Sequence, residues 1–104
     1  METVSGAHTK GITITGRPSA RVSAPFDGTI LFAGPFKNYG ELVIIDHGDN
    51  YVSLLAGMEQ LSTSVGQNVL AGEPIGQVKA GKPELYVEIR KDGQVVDPLP
   101  WFAQ

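Results

Sequence analysis

Four side chains within seven residues carry the densest chemistry in this sequence. In Pro83-Glu84-Leu85-Tyr86-Val87-Glu88-Ile89-Arg90 apolar and polar residues alternate without a break, which is the period of a half-buried β-strand. Leu85, Val87 and Ile89 are expected to face a core. Glu84, Tyr86, Glu88 and Arg90 then share the opposite face. Two carboxylates in one row raise the question of acid–base catalysis, but no residue type set against them supplies an acid or an oxyanion donor. Tyrosine and arginine are instead the types that most often anchor a binding surface, since each offers a large contact area with a fixed polar tip. Plainer roles are open to the same residues. Tyr86 suits a strand aromatic packed over a neighbour, and Glu88 with Arg90 suits a cross-strand surface ion pair of little energy.

The elements that must position this row are short. Thirteen glycines and seven prolines are spread along 104 residues, and they punctuate the chain into strands and turns. Gly11–Thr15 alternates and is β-prone; Gly16–Ser19 is a turn. Arg21–Ala24 leads to Pro25 and the Asp27-Gly28 turn, and Thr29–Ala33 is a strand closed by Gly34-Pro35. Phe36–Gly40 is a loop. Glu41–Asp46 is nearly all apolar, as befits a strand covered on both faces, and Tyr51–Ala56 is its hairpin partner. Gly57–Ser64 is the one stretch that could hold a helical turn. Val65–Val69 and Ala71–Gly76 are expected to pair as short strands across a tight turn. Lys79–Lys82 is a loop, and Asp92-Gly93 turns the chain into Gln94–Val96. Asp97 to Trp101 closes the domain, with Trp101 as a lid on the core. The expected architecture is all-β, a partly open antiparallel barrel or sandwich, preceded by a flexible segment, residues 1–9.

Composition narrows the function classes. A net charge of −3 argues against nucleic-acid binding, which calls for a basic excess. No apolar run is long enough for a membrane-spanning helix. Cysteine is absent, which excludes disulfide scaffolds, thiolate metal sites and cysteine nucleophiles. No secretion signal opens the chain, so an exported protein would contain it as an excised domain. His47, in Asp46-His47-Gly48-Asp49, is expected to be a turn residue.

Several segments together resemble the lysostaphin/LytM-type zinc peptidase domain: Val22-Ser23-Ala24-Pro25-Phe26-Asp27-Gly28-Thr29-Ile30, Val43-Ile44-Ile45-Asp46-His47-Gly48, Val65-Gly66-Gln67-Asn68-Val69, Gly72-Glu73-Pro74-Ile75-Gly76, and Leu85-Tyr86-Val87-Glu88-Ile89-Arg90. Their order and spacing cover the chain from Lys10 onward. The resemblance implies the fold of that family, a duplicated hybrid motif with a groove along one face. Active members hold zinc through an H-x-x-x-D motif and the second histidine of a later H-x-H, with a further histidine between the two motifs. Zinc needs neutral imidazoles and a carboxylate, with one position open for water. Here those positions fall on Thr9, Thr13, Gly57, Glu84 and Tyr86. His8 is one residue out of register, and a one-residue slip on a strand reverses the side chain. Neither metal nor other cofactor is therefore expected.

This pattern resembles the degenerate LytM domains of EnvC-like murein hydrolase activators. The resemblance implies a non-catalytic domain that docks onto a periplasmic N-acetylmuramoyl-L-alanine amidase during cell separation, with peptidoglycan as a further candidate partner. Its amidase-contacting groove falls on Lys10, Tyr39, Leu42, Tyr86 and Arg90. Two alternatives come from the same residues. An active zinc endopeptidase would require the lost ligands. The segments around Asp27-Gly28 and Val65–Ile75 also resemble biotinyl or lipoyl carrier domains, which need a lysine at a hairpin tip. Lys79 and Lys82 are the candidates there, and Lys79 is expected to play no part in amidase contact.

Overall fold

The computed structural model describes residues 3–5 and 11–97. Lys10, Thr9, His8, the Trp101 lid and most of the segment expected to be flexible lie outside these. Among the described residues the regular structure is ten strands and one 3₁₀ turn: β1 (Thr3–Ser5), β2 (Ile12–Thr15), β3 (Arg21–Ser23), β4 (Gly28–Pro35), the turn Lys37–Tyr39, β5 (Glu41–Gly48), β6 (Tyr51–Leu61), β7 (Asn68–Val69), β8 (Pro74–Val78), β9 (Glu84–Lys91) and β10 (Gln94–Val96). All pairings are antiparallel, and the main sheet runs β1-β2-β9-β6-β5-β4-β7. β10 adds to β9, and β8 bridges β3 and β6, so the sheet curls over a single core as a partly open barrel.

The alternation in β9 holds. Leu85, Val87 and Ile89 are buried in the core with Ile30, Val43, Ile45, Leu55 and Ile75, while Glu84, Tyr86 and Glu88 are half-buried on the other side. The hairpin into β10 turns through Asp92 and Gly93, both at positive φ, the backbone that a two-residue hairpin loop demands.

Two segments fold otherwise than their sequence suggests. Gly57–Leu61, read as part of a possible helical turn, continues β6. The strand changes partners at Gly57: residues up to Ala56 pair with β9, and from Met58 onward with β8. Gly57 has φ +105, which a bulge tolerates and a helix does not. Met58 is fully buried, so the strand is held in place by its core contact. The second difference concerns residues 65–76. β7 and β8 do not pair with each other; β7 joins β4 and β8 joins β3 and β6. Asp27 and Ala24 capture the intervening turn, through Ala71 N to Asp27 Oδ1 at 2.8 Å and Gly72 N to Ala24 O at 2.8 Å. These tertiary hydrogen bonds replace the ladder that a local hairpin would have made. His47 also differs from expectation: it lies within β5, and the turn itself is Asp49-Asn50.

Candidate functional site

The polar row of β9 is internally wired. Tyr86 Oη donates to Glu88 Oε2 at 2.5 Å, and Arg90 donates to Glu88 Oε1 from Nε at 3.1 Å and Nη2 at 3.0 Å. The Glu88–Arg90 ion pair therefore runs along one strand rather than across two. Both oxygens of Glu88 are engaged, which removes it as a free base. Burial first, and then the hydrogen bond to Glu88, push the Tyr86 phenol well above its usual range. Tyr86 is thus a neutral hydrogen-bond donor across the physiological range.

The floor beneath this row is apolar. Across the sheet Tyr86 pairs with Ala56, which pairs with Leu42; Glu88 pairs with Leu54, which pairs with Ile44. Directly paired residues of antiparallel strands share a face. Leu42 and Ala56 are 3% and 1% exposed, yet neither belongs to the core cluster; they are covered from the groove side. A register shift between Ile30 and Phe32 lets Ile30 enter the core while Phe32 pairs with Ile44 on the groove face. Phe32 stacks edge-on against Phe36, whose ring lies 6.0 Å from that of Tyr39. Phe36 and Tyr39, 41% and 51% exposed, form one wall.

Two compartments result. One, of about 210 Å³, is lined by Phe36, Tyr39, Leu42, Leu54, Tyr86, Glu88 and Arg90. The other, of about 150 Å³, is lined by Thr13, Asn38, Tyr39, Ala56, Gly57, Lys79, Lys82, Glu84 and Tyr86. Tyr39 and Tyr86 line both, so the two form one groove. Of the residues singled out from the sequence, Tyr39, Leu42, Tyr86 and Arg90 meet in the first compartment. Thr13, Gly57, Glu84 and Tyr86, which the resemblance places in the zinc site of active relatives, meet in the second. Lys79, which the sequence reading kept out of amidase contact, and Lys82, read only as a carrier lysine, also line the second compartment. Their loop joins β8 to β9, which do not pair with each other, so it is not the hairpin tip that a carrier lysine needs. A loop residue's direction is fixed by tertiary contacts, and nothing in the local sequence signals it.

The second compartment does not suit zinc. Its four positions offer one hydroxyl, one bare backbone, one carboxylate and one phenol held protonated. Gly57 has no room for a ligand: a Cβ there would sit 2.7 Å from the Glu84 carbonyl oxygen. Gly11 permits the tyrosine in a similar way, since a Cβ on it would lie 2.7 Å from Tyr86 Oη. Among the described residues no cluster of three or more His, Cys, Asp or Glu side chains is placed to hold a metal.

The description "Peptidase family M23" matches residues 7–98. Murein hydrolase activator EnvC of Escherichia coli is 37% identical over 99 residues, covering 91% of this chain and 24% of that protein. A lipoprotein NlpD/LppB homologue of Pseudomonas aeruginosa is 39% identical over 104 residues, covering 96% and 35%. The chain thus spans about a quarter to a third of these curated relatives. The catalytic domain of lysostaphin from Staphylococcus simulans superposes with a TM-score of 0.76 at 20% identity, covering 90% of this chain and 78% of that one, a likeness of fold.

Proposed function

The chain belongs to peptidase family M23, and we propose that it is a non-catalytic member that binds and activates a periplasmic N-acetylmuramoyl-L-alanine amidase in cell separation. The observation that carries this reading is the second compartment, where Thr13, Gly57, Glu84 and Tyr86, four of the positions that the resemblance gives to the zinc site of active relatives, offer a set that does not suit zinc. Metal-bound water is the nucleophile that zinc hydrolases generate; here Glu88 is tied to Tyr86 and Arg90, and Glu84 has no acid or oxyanion donor aimed at a common point. A cleft that retains its shape without its chemistry suits protein binding. The names of the relatives, murein hydrolase activators EnvC and NlpD, support the activator role, and the periplasm is the compartment in which the domain would meet such an amidase. Among the described residues no helix is long and apolar enough to cross a membrane.

The docking surface is the groove itself, with Tyr39, Leu42, Tyr86 and Arg90 as its contacts and Lys10 added by sequence resemblance. Leu42 and Leu54 supply the apolar trough, and Tyr86 and Arg90 stand on a strand whose reverse side is core, so little freedom is lost on binding. The test is amidase activation by purified Tyr86→Ala and Arg90→Glu domains. Each should weaken activation by about 2 kcal/mol in apparent affinity with the domain still cooperatively folded in a thermal melt. Full activation by both variants would refute the groove as the docking site. Two controls address the chemistry: the dialysed domain should carry no stoichiometric zinc by elemental analysis, and it should not clear purified sacculi without an amidase.

A further inference from the structure

The second compartment holds an uncompensated positive charge. Lys79 is half-buried and Lys82 exposed, and both line it together with a single carboxylate, Glu84. The ion pair found among the described residues joins Arg90 to Glu88, and neither lysine enters one. The Lys79 ammonium lies against the groove wall: a Cβ built on Gly40, next to Tyr39, would be 3.5 Å from its Nζ. Counting the whole groove, Arg90 and Glu88 cancel, and Lys79 and Lys82 outweigh Glu84. This local excess stands against a chain whose net charge is −3, so it is not the average character of the surface. A half-buried ammonium with no ion-pair partner among the described residues has lost part of its hydration without that compensation.

We infer that this corner takes a carboxylate side chain, an Asp or Glu, carried by the docking segment of the protein partner. The inference rests on the docking reading above and gives that segment its chemistry: an apolar residue in the Leu42–Leu54 trough, with an acid one step along the groove, between Lys79 and Lys82. The apolar trough, continuous with the corner past Tyr39 and Tyr86, favours a protein segment over a glycan-borne carboxylate, which would leave the trough unfilled. Opposite charge across the groove would also fix the direction in which the segment lies and speed its encounter.

The experiment measures amidase affinity at low and high salt for the parent domain, Lys79→Gln, Lys82→Gln, the double glutamine variant and Tyr86→Ala, with binding to purified sacculi run in parallel. Glutamine keeps the length of most of the stem and removes the charge. The double variant should bind about tenfold more weakly, the loss expected for a charge-assisted hydrogen-bonded contact, with a flattened salt dependence and an unchanged melt. If the double variant binds as the parent does while Tyr86→Ala is impaired, the carboxylate site is wrong and the docking groove stands. If neither is impaired, the docking reading itself fails. If the double variant loses sacculus binding and keeps amidase binding, the corner serves peptidoglycan and the inference is overturned.

Discussion

Two places in this domain gather the residue types that metal and acid–base sites are made of, and they differ in one physical respect. At one end of the barrel His47, the only histidine among the described residues, shares a cavity with Phe26, Asp27, Asp49 and Tyr51. By residue type this is the better metal or catalytic candidate. Yet its histidine and Asp27 are held within the domain. His47 Nδ1 meets Asp27 O at 2.8 Å, and Nε2 meets the fully buried Ser53 Oγ at 2.8 Å. Asp46 Oδ1 accepts from Gly48 N at 2.9 Å, and Asp27 Oδ1 from Ala71 N. Lys91 bonds to the Asp49 carbonyl and sits 4.3 Å from the Tyr51 ring centre. That end is a clasp joining β4, β5, β6 and the turn before β8. The groove has poorer residue types for catalysis, but Lys79, Lys82 and Glu84 there have no ion-pair partner among the described residues, and its apolar floor of Leu42, Leu54 and Ala56 lies outside the core cluster. What separates a structural cluster from a binding one here is which hydrogen-bonding and charged groups are already satisfied.

The sharpest way to break this contrast is to try to rebuild the groove as a metal site. Gly57→His should fail, because a side chain at φ +105 is strained and its Cβ meets the β9 backbone. The expected loss is about 3 kcal/mol in denaturant unfolding. Zinc bound by a stable Gly57→His, Tyr86→His double variant would instead make the groove a latent enzyme site.

Removing the clasp should cost somewhat less and act on stability alone. His47→Ala leaves Ser53 Oγ buried without its partner, which should destabilise the domain by about 2 kcal/mol. Amidase activation, assayed well below the melting temperature, should stay at the parent's level. A specific loss of activation in a folded His47→Ala domain would move function to the end assigned here to structure.

The smallest expected effect concerns the wiring of the polar row. The folded-state pKa of Tyr86 is raised by burial and by its bond to Glu88 above the phenol's ordinary value of 10.0, so its contribution to stability is complete below that pH and is lost as pH rises toward the folded-state value. Tyr86→Phe should therefore show a shallower fall in melting temperature above about pH 10 than the parent, while near neutrality the two curves run parallel. Parallel alkaline curves would mean that the Tyr86–Glu88 hydrogen bond does not hold the phenol's proton in solution.

Much of this molecule follows from the sequence without tertiary information. Strict alternation fixed both faces of β9, because successive strand residues must point to opposite sides. Asp92-Gly93, Asp27-Gly28 and the near-continuous apolar run of β5 located turns and an interior strand through local backbone preference and burial. Resemblance over ordered segments gave the family and a groove whose residues Tyr39, Leu42, Tyr86 and Arg90 the structure brings into one compartment. What local chemistry could not decide is wherever a residue's partner is distant in the chain. Gly57 breaks a helix and bends a strand equally well; only the approach of the Glu84 carbonyl and the burial of Met58 select the bulge. Residues 65–76 look like a hairpin until Ala24 and Asp27 claim their amides. His47 looks like a turn residue until Asp27 O and Ser53 Oγ hold its ring in β5. Lys79 and Lys82 are loop lysines by sequence and groove residues by structure, because β8 and β9 pair with different stretches of β6, either side of Gly57, and the loop between them lines the groove.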